Sequence, residues 1–155
     1  MGGMGGMGAA GNDLTGMLGA LGPAQPVLNA WATTNGLEIL IYLTTAPLTC
    51  AQMMTQGTPW LRSLPAGSQV IEIVIVGASN AKVGTVNVAP LVGEINYAEG
   101  GKSSSYEVVG SSGSIMFTKV EAMKLYEGTI MASFPGGGMV SGSFSAMWCQ
   151  GGAEY

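Results

Sequence analysis

The chain has 155 residues with nine acidic and five basic side chains, a net charge of −4, no histidine, 26 glycines, 11 methionines and two cysteines. That length suits one domain with a sizeable core, and the missing imidazole excludes Ser-His-Asp and Cys-His nucleophile systems together with zinc sites that need histidine. Charged residues make up 9% of the chain and hydrophobic ones 47%, so much of the surface must be Gly, Ser, Thr and apolar atoms, poorly protected against self-association.

From the front, Met1, Met4 and Met7 are separated by glycine pairs and run on through Ala9 and Ala10 to Asp13. Such a segment reads as a flexible Gly/Met-rich tether, or as an apolar extended arm able to lie against a neighbouring subunit. Leu14, Met17, Leu18 and Leu21 follow at helical spacing, with Asp13 as N-cap and Gly22-Pro23 as stop, which predicts a short N-terminal helix. Residues 1–35 are therefore read as arm and helix, and 36–155 as a β-domain. Val27 to Trp31 adds a short turn or strand.

After Asn35-Gly36 the pattern turns to alternation: Leu37, Ile39, Ile41 and Leu43 against Glu38, Leu40, Tyr42 and Thr44. Gln52 to Gly67 reads as a loop containing Pro59, Trp60 and Pro65. Val70 to Val76 is β-branched on both faces, as expected of a central strand covered on both sides. Gly84–Val88, Gly93–Tyr97, Ser104–Val109 and Ser114–Ala122 are further candidates. The strongest signal is a hairpin: Tyr126, Gly128, Ile130, Ala132 and Phe134 share one face, and Val140, Gly142, Phe144, Ala146 and Trp148 repeat it beyond the Pro135–Gly138 turn. The sum predicts an all-β fold, mainly an antiparallel β-sandwich of about seven strands.

Cys50 and Cys149 form no closely spaced ligand pattern. One disulfide closing the early strand region onto the last strand, in an oxidising compartment, is the reading they support; two reduced, buried thiols are the alternative. The five cations, Arg62, Lys82, Lys102, Lys119 and Lys124, are scattered, which argues against nucleic acid and against an anionic membrane surface. No stretch makes a bilayer span, because Leu14 to Ala32 is broken by Pro23, Gln25, Pro26 and Asn29. No secretory leader is recognisable at the front, so a mature fragment or another export route is expected.

Few residues invite chemistry. Ser79-Asn80-Ala81-Lys82 has the Ser-x-x-Lys spacing of serine acyl-enzymes, but the companion motifs are missing and the residues suit a turn. Glu72, Glu94, Glu121 and Glu127 are the candidates for a carboxylate couple. Glu72 interrupts the doubly apolar strand: either it marks the exposed face of a half-covered strand, or it is buried with a raised pKa at a site or subunit contact. One aspartate, Asp13, and no acidic loop motif speak against a calcium loop, and dispersed methionines without Met-x-Met pairs speak against copper, so neither metal nor cofactor is expected. Among the aromatic residues, Trp60 in its Pro-flanked loop is the best candidate for an exposed ligand contact.

The segment Val140-Ser-Gly-Ser-Phe-Ser-Ala-Met-Trp-Cys149, with Leu43-Thr-Thr-Ala-Pro-Leu-Thr-Cys50, resembles small secreted or lipid-anchored β-domains of myxobacteria and related bacteria over residues 36–150. The resemblance implies an envelope location and a Gly-rich leader acting as tether; it carries no functional residues, and a lipobox cysteine is missing from the front. The expectation is a non-catalytic, extracellular or cell-surface structural subunit. Its arm (Met1, Met4, Met7, Leu14, Met17, Leu18, Leu21) and unprotected strand edges would mediate homo-oligomer or filament assembly. The alternative is a monomeric, tethered binding module for a glycan or protein, using the loop around Trp60.

Overall fold

A computed structural model describes residues 11–56, 60–102, 108–109, 112–135 and 138–149. The strands are β1 (Asp13–Gly16), β2 (Asn29–Thr34), β3 (Glu38–Thr44), β4 (Gln69–Val76), β5 (Gly84–Asn87), β6 (Gly93–Glu99), β7 (Val108–Val109), β8 (Ser112–Glu121), β9 (Leu125–Phe134) and β10 (Gly138–Trp148). Two short helices, α1 (Cys50–Gln56) and α2 (Trp60–Ser63), lie between β3 and β4. The strands make one sheet in the order β5-β8-β9-β10-β2-β3-β4-β6-β7, with β1 added to β10. Among the described residues only the β10–β2 pairing is parallel. The fold is all-β, and the sheet is nearly barrel-shaped. In detail this departs from a two-layer sandwich, since a single sheet rolls on itself.

The inner face holds the main core, including Ile41, Leu43, Ile71, Ile73, Ile95, Tyr97, Ile115, Phe117, Ile130, Phe134 and Phe144. Each such side chain taken from water stabilises by roughly 1.5–3 kcal/mol. The expected hairpin forms with Phe134 opposite Gly138 and Leu125 opposite Met147. In one register row Gly128 lies between Phe117 and Phe144, whose rings meet edge to face at 5.9 Å. A Cβ at Gly128 would run into the Met116 carbonyl oxygen, so glycine lets β9 approach β8 closely while the two rings fill the space over it.

The predicted helix over Leu14–Leu21 does not form. Asp13–Gly16 runs as β1 against Ser143–Val140, and Gly19–Leu21 makes one 3-10 turn. Gly16 and Gly19 adopt φ of +112° and +51°, outside the right-handed helical region. Leu14 and Leu18 are 7% and 1% exposed and belong to the main core, so they are not available as arm residues. Residues 13–34 thus contribute β1 and β2 to the same sheet as the rest of the chain, and position 35/36 falls in the turn between β2 and β3.

The stretch expected as a loop, Gln52–Gly67, carries most of α1 and all of α2. Thr49 and Gln52 cap α1 reciprocally: Gln52 N–H donates to Thr49 Oγ1 at 3.1 Å and Thr49 N–H to Gln52 Oε1 at 2.8 Å. The excursion is pinned by Trp31 Nε1, which donates to the Leu48 carbonyl at 2.7 Å, and by Leu48 N–H, which donates to Asn29 Oδ1 at 2.8 Å. The helices cover part of the outer face, where Leu48, Met53, Trp60, Leu61, Leu64, Val70, Ala98 and Cys149 form a second buried cluster. This explains why β4 is apolar on both sides: Ile71, Ile73 and Ile75 face the main core and Val70 faces the helices.

Candidate functional site

Cys50 and Cys149 are joined, with a Cα–Cα separation of 5.5 Å. The bond fastens the first residue of α1 to the residue after β10, and Cys149 is fully buried. Its backbone N–H donates to the Ala32 carbonyl at 2.7 Å, so the chain end that carries the sulfur is fixed from both sides.

Trp60 is not an exposed ligand contact. It opens α2, is 5% exposed, and meets Tyr42 edge to face with ring centroids 5.2 Å apart. Its large apolar ring is driven inward together with Met53, Leu61 and Leu64 as the helices close over the sheet. The binding-module alternative thereby loses its aromatic contact. Ser79, Asn80 and Lys82 are exposed at a turn, where Asn80 Nδ2 donates to the Val76 carbonyl at 2.9 Å.

Glu72 is partly buried on the outer face beside the helical cover. Register sets Tyr42, Glu72 and Asn96 in one row across β3, β4 and β6, with Glu94 two residues from Asn96 on the same face. Asn96 Nδ2 donates to Glu72 Oε1 at 2.9 Å and reaches Glu94 Oε1 at 3.4 Å. Desolvation pushes the Glu72 pKa above its ordinary value, hydrogen bonds from Asn96 and Tyr42 oppose this, and the Glu94 and Glu38 charges add to it. Asn96 is 5% exposed, and its Oδ1 accepts no hydrogen bond. Thr33 Oγ1 is also buried without a partner, three strands away from Asn96 in the row through Leu40, Val74 and Glu94. Of the four carboxylates read from the sequence, Glu72 and Glu94 come together. Glu127 instead accepts from Ser145 Oγ at 2.7 Å, and Glu121 lies 3.9 Å from Lys119.

The opposite flank carries the methionines. Met116, Met131, Met139 and Met147 point outward from β8, β9 and β10 with exposures of 46–61%. Between the first three, the outward positions are Ser112, Ser114, Thr129, Ser133, Ser141 and Ser143, so these rows of the three strands have no charged side chain. Met17 is exposed at the end of β1, Leu21 is partly buried against the core, and Met1, Met4 and Met7 lie outside the described residues. The end strands of the sheet, β5 and β7, have four and two residues, and among the described residues β7 pairs with β6 only at Asn96 and Tyr97.

Among the described residues no helix is long and apolar enough to cross a membrane, and no three His, Cys, Asp or Glu residues are grouped to hold a metal ion. Comparison of the chain with protein-family models, with curated proteins and with solved structures finds no match.

Proposed function

We propose that this chain is a non-catalytic, extracytoplasmic structural subunit that associates with copies of itself, up to a filament, through the outer face of β8, β9 and β10 and its first residues. The observation that carries the reading is the run of Met, Ser and Thr side chains on the outer face of those strands from Ser112, Ser133 and Met139 to Met116, Thr129 and Ser143, bordered by Asp13 on β1 and by the Lys119–Glu127 row. Thioethers are apolar and adaptable, and short hydroxyl side chains let a facing surface approach closely. Gly11, which follows the Met-Gly-Gly segment in the sequence, lies against the Ser145 side chain on this same face. Leu14 and Leu18 have no part in the contact, because they serve the subunit's own core. The Cys50–Cys149 bond supports an oxidising compartment, outside the cell or at its surface.

The test is size-exclusion chromatography with light scattering on the full chain over a range of concentrations, beside the double variant Met131→Glu/Met139→Glu and a chain lacking residues 1–10. Wild type is expected above monomer mass, and the double variant monomeric with an unchanged Tm. A wild-type monomer at every concentration, or association untouched by the two glutamates, overturns the proposal.

A further inference from the structure

The geometry points to a membrane-docking end, separate from the assembly face: Leu37, Val83, Leu91 and Met123, on the turns at one end of the rolled sheet, enter the interface of an anionic phospholipid bilayer, with Lys82 and Lys124 at its headgroups.

Register places these turns together. Glu38 pairs with Val76 and Gly93 with Ile75, so the β2–β3 turn, the end of β4 and the start of β6 leave the sheet at the same end. Val76 N–H donates to the Val92 carbonyl and Gly77 N–H to the Leu37 carbonyl, each at 3.0 Å. β10 runs parallel to β2 towards this end, and Trp148 N–H donates to the Lys124 carbonyl at 2.9 Å, which adds the β8–β9 turn with Met123. Val83 leads into β5, where Gly84 lies opposite Phe117 on the strand that rises to that same turn.

Two independent features set these residues apart. They are 64–84% exposed, and no other large apolar side chain among the described residues exceeds 61%. Leu91 and Met123 are also the only non-glycine residues with positive φ among those described, at +63° and +61°. Left-handed backbone strains a bulky side chain and suits glycine, so neither packing nor solubility accounts for a leucine and a methionine at these two tips.

The layout favours a bilayer over a protein partner. Each side chain stands on a separate turn around the rim, and none of the exposed large apolar residues is an aromatic anchor for a partner to enclose. A lipid interface takes up separate apolar tips without a matching shape, and its hold grows with apolar area and with attraction to anionic lipid. The cations are scattered in sequence, but the fold brings Lys82, Lys119 and Lys124 to this end. Lys82 adjoins Val83, Lys124 adjoins Met123, both are exposed, and neither is in an ion pair among the described residues. The acidic groups nearby are engaged: Glu38 accepts from Asn35 Nδ2, Glu94 from Asn96 Nδ2, and Glu121 faces Lys119. Lysine stems lie along the apolar tips while their ammonium groups meet the phosphates.

The test is flotation of the full chain with vesicles of equal parts phosphatidylcholine and phosphatidylglycerol, with light scattering and Tm measured on every variant. Wild type is expected to float. Leu37→Asp and Leu91→Asp should each weaken partition at least tenfold, and Lys82→Gln and Lys124→Gln about fivefold each. Leu91→Gly, which fits the left-handed backbone, should lose partition at least tenfold with a Tm at or above that of wild type. Absence of flotation, or flotation that the leucine variants leave intact, overturns the proposal. So does a Leu91→Gly protein with a lowered Tm, which would make the leucine a part of the fold. Leucine variants that lower the mass in solution and leave flotation unchanged would assign this end to contact between copies, and the proposal falls.

Discussion

Replacing Cys50 and Cys149 together by alanine removes a cross-link between residues 99 apart in sequence. In the chain-entropy account a loop of that size constrains the unfolded ensemble by about 4.7 kcal/mol. For a chain of this length each kcal/mol shifts the midpoint by roughly 2–4 °C, so Tm should fall by about 10–20 °C. The contacts around the bond predict where the loss acts. Leu48, Met53, Trp60, Leu61 and Leu64 remain buried against Val70 and Ala98, and the Trp31 and Asn29 hydrogen bonds still pin the entry to α1. The folded state should therefore keep its helical cover, and the effect should lie in the unfolded state. Scanning calorimetry gives the shift, and acrylamide quenching of tryptophan well below Tm reports whether the cover has lifted. A fall of less than about 3 °C would refute the entropic reasoning. A normal fall with Trp60 newly accessible would show that the bond holds the helices locally.

Leu18→Ala should cost about 2–5 kcal/mol in denaturant unfolding, as for any buried leucine; a residue on an external arm would cost next to nothing. Gly128→Ala should lower stability by more than 1 kcal/mol, because the new methyl meets backbone atoms of Met116 and Phe117 that cannot yield; an unchanged urea midpoint would show that the strands can part. Glu72→Gln tests the partly buried, desolvated carboxylate. The folded state holds the Glu72 proton to higher pH than the unfolded chain, whose ordinary value is 4.5. Wild type therefore loses stability as pH rises from there through the folded value, and the glutamine variant does not. The gap in Tm between the two should widen in favour of glutamine across that rise; a gap constant with pH contradicts the desolvation account.

The β9–β10 hairpin was legible because period-two alternation runs unbroken for about ten residues in each strand and the Pro-Gly turn separates them. At Leu14–Leu21 the same kind of reading misled: the leucines do fall at helical intervals, but a segment crossed by Gly16 and Gly19 is free to take positive φ, and the β10 edge supplied a strand partner. Tertiary pairing outweighed a short local pattern. The start of α1 is written in the sequence, where Thr49 and Gln52 stand three apart as a capping box demands. The prolines around Trp60 suggest a loop without revealing what that loop lies against.

The Glu72 cluster marks a different limit. Glu72 and Glu94 were visible as carboxylates, but Asn96 enters only through register, 24 residues away and one strand over. A slip of one residue in the β4–β6 ladder would turn Asn96 into the core and bring Ile95 or Tyr97 beside Glu72. That register is held by the inward residues Ile71, Ile73, Ile95 and Tyr97, all buried in the main core. The apolar face therefore decides which polar groups meet on the other side of the same strands. A polar cluster on a sheet inherits its geometry from the core beneath it, and a conservative change such as Ile73→Val should leave the Glu72–Asn96 spacing intact, whereas inserting one residue in β6 should abolish it.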